Sequence, residues 1–124
     1  MRLPRLSAFV ALLLALPPAG AESVKILVQS SPLAGSQYYA LAGVWSEIRL
    51  GDRLTLIREP ENRHDRKATR VDWNGQKLGY VPRRENNAVA RALDAGEKLE
   101  ARVSRLRELA DPWQRVEFEV YLIL

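Results

Sequence analysis

The alternation of apolar and polar residues near the end of the chain is the feature that most constrains the fold. In the segment RVEFEVYLI, every second residue is apolar and the residues between are glutamate or tyrosine. This period of two is that of a β-strand with one buried face. The residues predicted to point inward are Val116, Phe118, Val120 and Leu122. The outward glutamates are predicted to pair with Arg105 or Arg107 on a neighbouring strand.

Other segments of the chain show strand patterns of the same kind. They are ESVKILVQS, DRLTLIRE, ATRVDW, QKLGYV and KLEARV. In the first of them, Val24, Ile26 and Val28 alternate with their neighbours, which predicts a strand. The dipeptide Asn74-Gly75 separates ATRVDW from QKLGYV, and Asn-Gly supports the positive φ angles of a type I′ turn. The sequence therefore predicts a β-hairpin at this position.

One amphipathic helix is predicted among these strands. Pro82 suits a helix start, Gly96 suits a helix stop, and apolar residues form a stripe between Arg84 and Asp94. Five or six short strands would leave sheet edges open, and small proteins usually remove such edges by closing the sheet. The expected fold is therefore mainly β with one or two short helices, arranged as a small OB-like β-barrel.

The first 21 residues, MRLPRLSAFVALLLALPPAGA, differ in character from the rest. Two arginines come first, then an apolar run, then two prolines and three small residues. This is the order of a signal peptide, with cleavage expected after Ala21. The apolar run is far shorter than the roughly 20 residues of a membrane-spanning helix, and an uncleaved anchor is the alternative reading. The sequence predicts an exported protein, periplasmic or secreted, with a mature domain of residues 22–124.

Several classes of site are excluded by the residues that the chain contains. It has no cysteine and a single histidine, His64, so disulfides, thiolate metal sites and multi-histidine zinc sites cannot form. It contains no GxSxG elbow and no GxxxxGK[ST] loop. A metal-dependent nuclease is a poor candidate because few carboxylates are clustered. We therefore expect a binding protein without enzymatic activity, metal or cofactor.

Three segments in a fixed order carry a family resemblance. They are LAGSQYY, LIREPENRHDRKATRV and NGQKLGYVPRRENNAVARAL. The pattern is a glycine followed by paired aromatics, then a strand ending in R-[ED]-P-x-N-x-x-D-x-x-A-x-x-V, then G-[YH]-[LVI]-P before a helix. Over residues 24–123 the chain resembles a HIRAN domain. This module is found at the front of certain helicase-like, chromatin-remodelling DNA-repair proteins and alone in many bacterial proteins.

The resemblance implies an OB-like barrel that binds single-stranded DNA, in the best understood members at a free 3′ end. The nucleic-acid-binding residues expected on this basis are Tyr38, Tyr39, Asn62, His64, Asp65, Lys67, Tyr80 and Arg83. Tyr38 would stack on a base, residues 62–65 would line the pocket for the strand end, and Arg83 would meet a phosphate. If the two adjacent tyrosines lie in a strand, their rings point to opposite faces and one belongs to the core.

Two positions depart from the family pattern, and two others have an alternative role. Gln37 stands where the DNA-binding members have a basic residue, and His64 stands where they have a tyrosine. The side chains of Asn62 and Asp65 are of the type that caps its own turn by accepting backbone N–H bonds. The alternative is a carboxylate that accepts a hydrogen bond from a terminal sugar hydroxyl, and one residue can do both.

A basic cluster is expected near one rim of the barrel. Its members are Arg63, Arg66, Lys67, Arg70, Arg83 and Arg84. Backbone N–H groups at a helix start near Pro82 would add to the attraction for anions. Phosphate contacts supply affinity but no sequence choice. Loss of the leader removes two of the 19 basic residues and none of the 15 acidic ones, leaving 17 against 15, so ordinary solubility is the alternative explanation.

Two functions are therefore consistent with the sequence. The first is a binding module for single-stranded nucleic acid, which the family motif and the rim charges favour. The second is a cell-envelope module that binds a protein or an anionic ligand and keeps the fold without binding DNA. The predicted leader favours the second, because an exported protein rarely meets chromosomal DNA.

Overall fold

The computed structural model describes residues 24–108 and 111–124. The predicted signal peptide, residues 1–21, and the first two residues of the predicted mature domain lie outside this part. The strands are β1 (Lys25–Pro32), β2 (Arg53–Arg58), β3 (Thr69–Trp73), β4 (Gln76–Tyr80), β5 (Leu99–Leu106) and β6 (Val116–Ile123). The helices are α1 (Leu41–Val44), α2 (Asn87–Asp94) and α3 (Pro112–Arg115). No helix within these ranges is long and apolar enough to cross a membrane.

The six strands form one antiparallel sheet in the order β1-β6-β5-β2-β3-β4. Its two edges meet just after β1, where Ala34 forms an isolated bridge with Tyr80 of β4. The edges are thus joined by this single bridge, not by a continuous ladder, across the described residues. The predicted fold class, mainly β and barrel-like, is confirmed.

The core lies inside the curved sheet and is covered at one side by α2. Val116, Phe118 and Val120 are fully buried, as their alternation in the sequence predicts. Val89 of α2 is buried in the same cluster. Removing a side chain as large as Phe118 from such a core typically costs about 3–5 kcal/mol. On the outer face Arg105 Nη1 lies 3.5 Å from a carboxylate oxygen of Glu117, which is one of the predicted pairs.

The hairpin between β3 and β4 has the predicted turn. Asn74 and Gly75 have φ angles of 47° and 80°, the left-handed values that a type I′ turn requires at both central positions. Asparagine and glycine tolerate these angles better than other residues do. The turn brings the end of β4 beside the start of β3, and Tyr80 lies at that end.

The strand predicted for β1 is present, but its alternating apolar residues do not form a buried face. Val24, Ile26 and Val28 are 61%, 47% and 38% exposed. Ile26 pairs with Leu122, which lies beyond the buried part of β6, and no other element among the described residues buries its side chain. The strand register then shifts between Leu27 and Gln29, which interrupts the alternation.

Short turns form the local structure at three other places. The segment SQYY contains a 3-10 turn, Ser36–Tyr38, so the two adjacent tyrosines do not lie in a strand. The helix expected to start at Pro82 begins at Asn87, after a 3-10 turn over Arg83–Glu85. Pro112 begins α3, a helix of one turn that was not predicted from the sequence. Each of these turns is closed by hydrogen bonds between residues three or four positions apart. The spacing of apolar residues does not predict turns as short as these.

Candidate functional site

The turn between β2 and β3 is shaped by its own asparagine and aspartate. Asn62 Oδ1 accepts hydrogen bonds from the backbone N–H groups of His64 and Asp65, at 2.9 and 3.3 Å. Asp65 Oδ1 accepts one from the N–H of Lys67 at 2.9 Å. These are the turn-capping bonds expected of such side chains. The turn is therefore held in one shape by residues within it.

Longer side chains fasten this turn to α2. Arg58 donates to the carbonyl oxygens of Ala68 and Arg66, at 2.7 and 3.0 Å, and to the carboxylate of Asp94 at 2.9 Å. The side-chain amide of Asn86 is buried and donates to Asp65 Oδ2 at 2.8 Å. The position of the turn relative to the helix is thus fixed from both ends.

A pocket of about 290 Å³ opens between this turn and the end of β4; we call it the turn pocket. Six of the eight predicted binding residues line it, namely Tyr39, Asn62, His64, Asp65, Tyr80 and Arg83. Its remaining lining residues are apolar. Residues far apart in the sequence thus meet at one concave site, and this site combines aromatic rings, a carboxylate and a guanidinium group.

Tyr38 and Lys67 lie outside the turn pocket. Tyr38 is 76% exposed and contacts Tyr39 edge to face, with ring centroids 6.5 Å apart. Lys67 Nζ donates to the side chain of Asn87 at 2.6 Å, which directs it toward the start of α2. The expectation that one tyrosine of the pair belongs to the core is wrong, because Tyr39 is also 38% exposed. The 3-10 turn brings both rings to the surface.

A hydrogen-bond network runs behind the turn pocket. Tyr80 donates its hydroxyl hydrogen to Glu59 Oε1 at 2.9 Å, and Asn62 donates to the same oxygen at 3.0 Å. Lys77 Nζ donates to the Tyr80 hydroxyl at 2.7 Å. The same ammonium group lies 4.1 Å from the ring centroid of Tyr39 and 4.6 Å from that of Tyr80. These distances are those of cation–π contacts.

The charges of this network stabilise one another. Burial alone would raise the pKa of Glu59, but hydrogen bonds from Asn62 and Tyr80 and the nearby charges of Lys77 and Arg70 lower it below its usual value. Burial alone would lower the pKa of Lys77, but its bond to Tyr80, together with its electrostatic contacts with Tyr80 and Tyr39, raises the pKa above its usual value. Burial and the contact with Glu59 raise the pKa of Tyr80 despite its bond with Lys77. At neutral pH a neutral phenol therefore links a carboxylate to an ammonium group.

The predicted basic rim is only partly present. Arg70 points away from it, since its Nε lies 2.9 Å from Asp72 Oδ1 and its Nη1 lies 3.7 Å from Glu59 Oε2. The arginines at positions 63, 66, 83 and 84 are exposed, and none of them forms an ion pair with another described residue. The rim keeps a positive charge because these four side chains face solvent.

A second groove continues from the turn pocket. It has a volume of about 570 Å³ and shares Ala34 and Arg83 with the pocket. Arg84 and Trp113 also line it, and Trp113 is 42% exposed. Trp113 was not predicted as a site residue, although an aromatic residue directly after the pair Asp111-Pro112, which is typical of turns, is a usable signal.

Sequence reasoning also missed the residues behind the turn pocket. Glu59 belongs to the signature segment, but its position there did not indicate contacts with Asn62 and Tyr80. Lys77 and Asn86 carried no signal, because their partners lie on other elements. Among residues 24–108 and 111–124 there is no cluster of three or more acidic or histidine side chains that could hold a metal ion. The site offers rings, hydrogen-bond acceptors and cations to a ligand.

A family model and one of the solved structures similar to this chain name the same family. The family model described as HIRAN domain matches residues 26–124. A protein from Lactobacillus plantarum of known crystal structure has a TM-score of 0.70 and 25% identity, covering 82% of this chain and 98% of its own. The HIRAN domain of human HLTF has a TM-score of 0.60 and 19% identity, covering 80% and 78%. No curated protein matches the chain significantly.

Proposed function

Because this chain belongs to the HIRAN domain family, we propose that it binds single-stranded nucleic acid and holds a free 3′ end in the turn pocket. The observation that carries this proposal is the convergence of six residues implied by the family pattern at one concave site. Fold alone does not imply function, so the proposal depends on the chemistry of these side chains.

Asp65 is the residue that would recognise the terminal hydroxyl. Each of its carboxylate oxygens accepts one hydrogen bond within the protein, from the N–H of Lys67 and from Asn86. An ionised carboxylate has about four lone-pair sites, so acceptor capacity remains on both oxygens. A 3′-hydroxyl can donate to this group, whereas a 3′-phosphate would bring a second negative charge against it. The pocket should therefore prefer a hydroxyl end over a phosphorylated one.

The rest of the strand would follow the exposed aromatic and basic side chains. Arg83 lies where the turn pocket and the second groove meet, which suits a contact with the first phosphate. Trp113, which lines the second groove, and Tyr38, which contacts Tyr39, are exposed rings. Stacking of a base on an aromatic ring contributes about 1–3 kcal/mol and tolerates every base. Binding of this kind has little sequence preference and weakens as salt increases.

We further propose that the protein is exported and acts as a binding module without catalysis of its own. The composition of residues 1–21 supports export. The mass of the protein recovered from a periplasmic fraction tests this, because cleavage after Ala21 gives a chain that starts at Glu22. Recovery of the uncleaved chain from the membrane fraction would contradict it.

The binding proposal is tested by fluorescence anisotropy with a labelled single strand about ten nucleotides long, at low and moderate salt. A strand with the same sequence but a 3′-phosphate is the matched control. We expect salt-sensitive binding that weakens about tenfold when the end is blocked, because the carboxylate would lose a hydrogen bond and face a like charge. Equal binding of both strands would contradict 3′-end recognition. Absence of binding to either would contradict the whole proposal and favour the envelope protein or anionic ligand.

A further inference from the structure

Glu59 and Lys77 contact the walls of the turn pocket without lining it. We propose that Glu59 is the positioning residue of the turn pocket: it holds Asn62 on one wall and Tyr80 on the other, while Lys77 fixes Tyr80 against Tyr39. The inference rests on the proposed function for the identity of the ligand. It assigns to Glu59 a role distinct from ligand contact.

The first argument is geometric. Glu59 Oε1 accepts hydrogen bonds from both Asn62 Nδ2, at 3.0 Å, and the Tyr80 hydroxyl, at 2.9 Å. Asn62 belongs to the turn after β2, whereas Tyr80 ends β4, so the two walls come from different elements. A single oxygen atom bonded to both walls sets the distance between them. Without it, the side chains of Asn62 and Tyr80 lose the acceptor that joins them.

The second argument concerns what Tyr80 offers to a ligand. Its hydroxyl donates to Glu59 and accepts from Lys77, so the ring, not the hydroxyl, is left for contact in the pocket. Lys77 Nζ also lies within 4.6 Å of the ring centroids of both Tyr39 and Tyr80. Those centroids are 6.0 Å apart. The ammonium group thus keeps the two rings of the pocket at a fixed spacing.

The third argument is that charge alone predicts the opposite effect. Glu59 is acidic and lies close to a site that would bind a polyanion, so its removal should strengthen binding if it acted only through its charge. A positioning residue should instead weaken binding when it is removed. Glu61 is a matched control because it lies in the same turn and is exposed. Its side chain forms no hydrogen bond with any other described residue.

The experiment compares Glu59→Ala, Glu59→Gln and Glu61→Ala, each measured with a 3′-hydroxyl strand and a 3′-phosphate strand. We expect Glu59→Ala to weaken binding of the hydroxyl strand about tenfold, since Asn62 and Tyr80 lose their shared acceptor. The ratio of the two Kd values, which measures the preference for the hydroxyl end, should fall toward one. Glu59→Gln keeps an acceptor oxygen, so it should retain most of the affinity and most of this preference. Glu61→Ala should bind as tightly as the original protein, or slightly more tightly.

Two results would overturn the inference. One is Glu59→Ala binding as tightly and as selectively as the original protein. The other is an equal loss for both strands, because a merely structural role would weaken binding without changing the 3′-end preference. Thermal unfolding of each variant shows whether it is folded. If the alanine variant is not, Tyr80→Phe serves as the test, because it keeps the ring and removes the bond to Glu59; it should lower the preference for the hydroxyl end, and an unchanged preference would contradict the inference.

A measurement without ligand separates this inference from the proposed function. In NMR spectra of the unliganded protein, Glu59→Ala should shift the Asn62 side-chain amide signals and the Tyr39 and Tyr80 ring signals, whereas Glu61→Ala should not. If the original protein binds neither strand but these shifts occur, the proposed function fails and the positioning role stands. If binding occurs and the signals do not move, the positioning role fails alone.

Discussion

The backbone groups of Ala34 and Tyr80 exchange two hydrogen bonds, each 2.9 Å long, across the two edges of the sheet. Both residues also line the turn pocket. The contact that joins the edges of the sheet therefore also forms part of the candidate site. Substitutions that disturb this bridge should affect stability and ligand binding together.

Gly79→Ala should destabilise the protein through this bridge. A Cβ atom at position 79 would overlap the carbonyl oxygen of Ala34 and press on the side chain of Leu33. Overpacking of a well-packed site typically costs about 1–3 kcal/mol. Chemical denaturation should show this loss of unfolding free energy, and the affinity for a single strand should fall as well.

Gly43→Ala is the matched control for that substitution. Gly43 lies in α1, and a Cβ atom there would meet nothing within 4 Å. Alanine in a helix is favoured over glycine by roughly 0.5–1 kcal/mol. The control should therefore be as stable as the original protein or more stable. Equal unfolding free energies for the two variants would contradict the close approach at Gly79.

Tyr38→Ala should weaken binding of a single strand without loss of stability. The ring is 76% exposed, so its removal should change the unfolding free energy by less than about 0.5 kcal/mol. If it stacks on a base, its loss should cost about 1–3 kcal/mol of binding, or roughly 5- to 150-fold in Kd. Tyr38→Phe keeps the ring and should bind normally. Anisotropy titrations of both variants decide this, and unchanged binding by Tyr38→Ala would exclude the platform role.

Arg83→Ala should reduce the salt dependence of binding. A single-strand phosphate contact contributes about −0.7 to the slope of log K against log salt concentration. Removing Arg83 should therefore make the slope less steep by about that amount. Arg91→Ala removes the same charge from the exposed face of α2 and should leave the slope almost unchanged. If both variants change the slope equally, the effect is one of net charge and not of a phosphate contact at the pocket.

Glu100 should make stability depend on pH below pH 5. Its carboxylate lies 2.7 Å from Lys25 Nζ and from Arg53 Nη2, and 3.2 Å from Arg102 Nε. Hydrogen bonds from Lys25 and Arg102 lower the pKa of Glu100 from 4.5 to about 2. Because the folded pKa lies below the unfolded one, this stabilisation is complete above about pH 5 and is lost as pH falls toward 2.

The corresponding measurement is denaturation of Glu100→Gln at several pH values. At pH 7 the variant should be less stable by about 1 kcal/mol, a modest value because Lys25 and Arg53 are largely exposed to solvent. At pH 2 to 3 the two proteins should converge in stability. Glu97→Gln is the control, since Glu97 is exposed and forms no ion pair among the described residues. A difference that stays constant with pH would contradict the role of the charge.

Local patterns predicted those parts of the molecule that local backbone geometry controls. The alternation in β6 gave the buried set around Phe118, and Asn74-Gly75 gave the turn between β3 and β4. The asparagine and aspartate of the signature segment close their own turn, as their short acceptor side chains suggest. Of the eight residues predicted from the family resemblance, six line one pocket in the structure.

Other features depended on contacts between distant segments. Arg70 was expected at the basic rim, but its neighbours Asp72 and Glu59 turn it away from there. Ile26 follows the strand pattern and is nevertheless exposed, because no other element in the described part of the chain covers the end of β1 and β6. Neither outcome can be derived from the spacing of residues within one segment.

The sequence by itself determined which segments become β-strands and where the hairpin turns. It also determined which residue types are available to bind the end of a nucleic-acid strand. Periodicity and turn residues report on backbone geometry over a few residues, and these are the scales on which those features form. Only the tertiary structure decided that Asn62 and Tyr80 donate to the same oxygen of Glu59, and that Lys77 lies close to the rings of Tyr39 and Tyr80. Such contacts depend on strand order and register, which bring together groups that the chain itself keeps far apart.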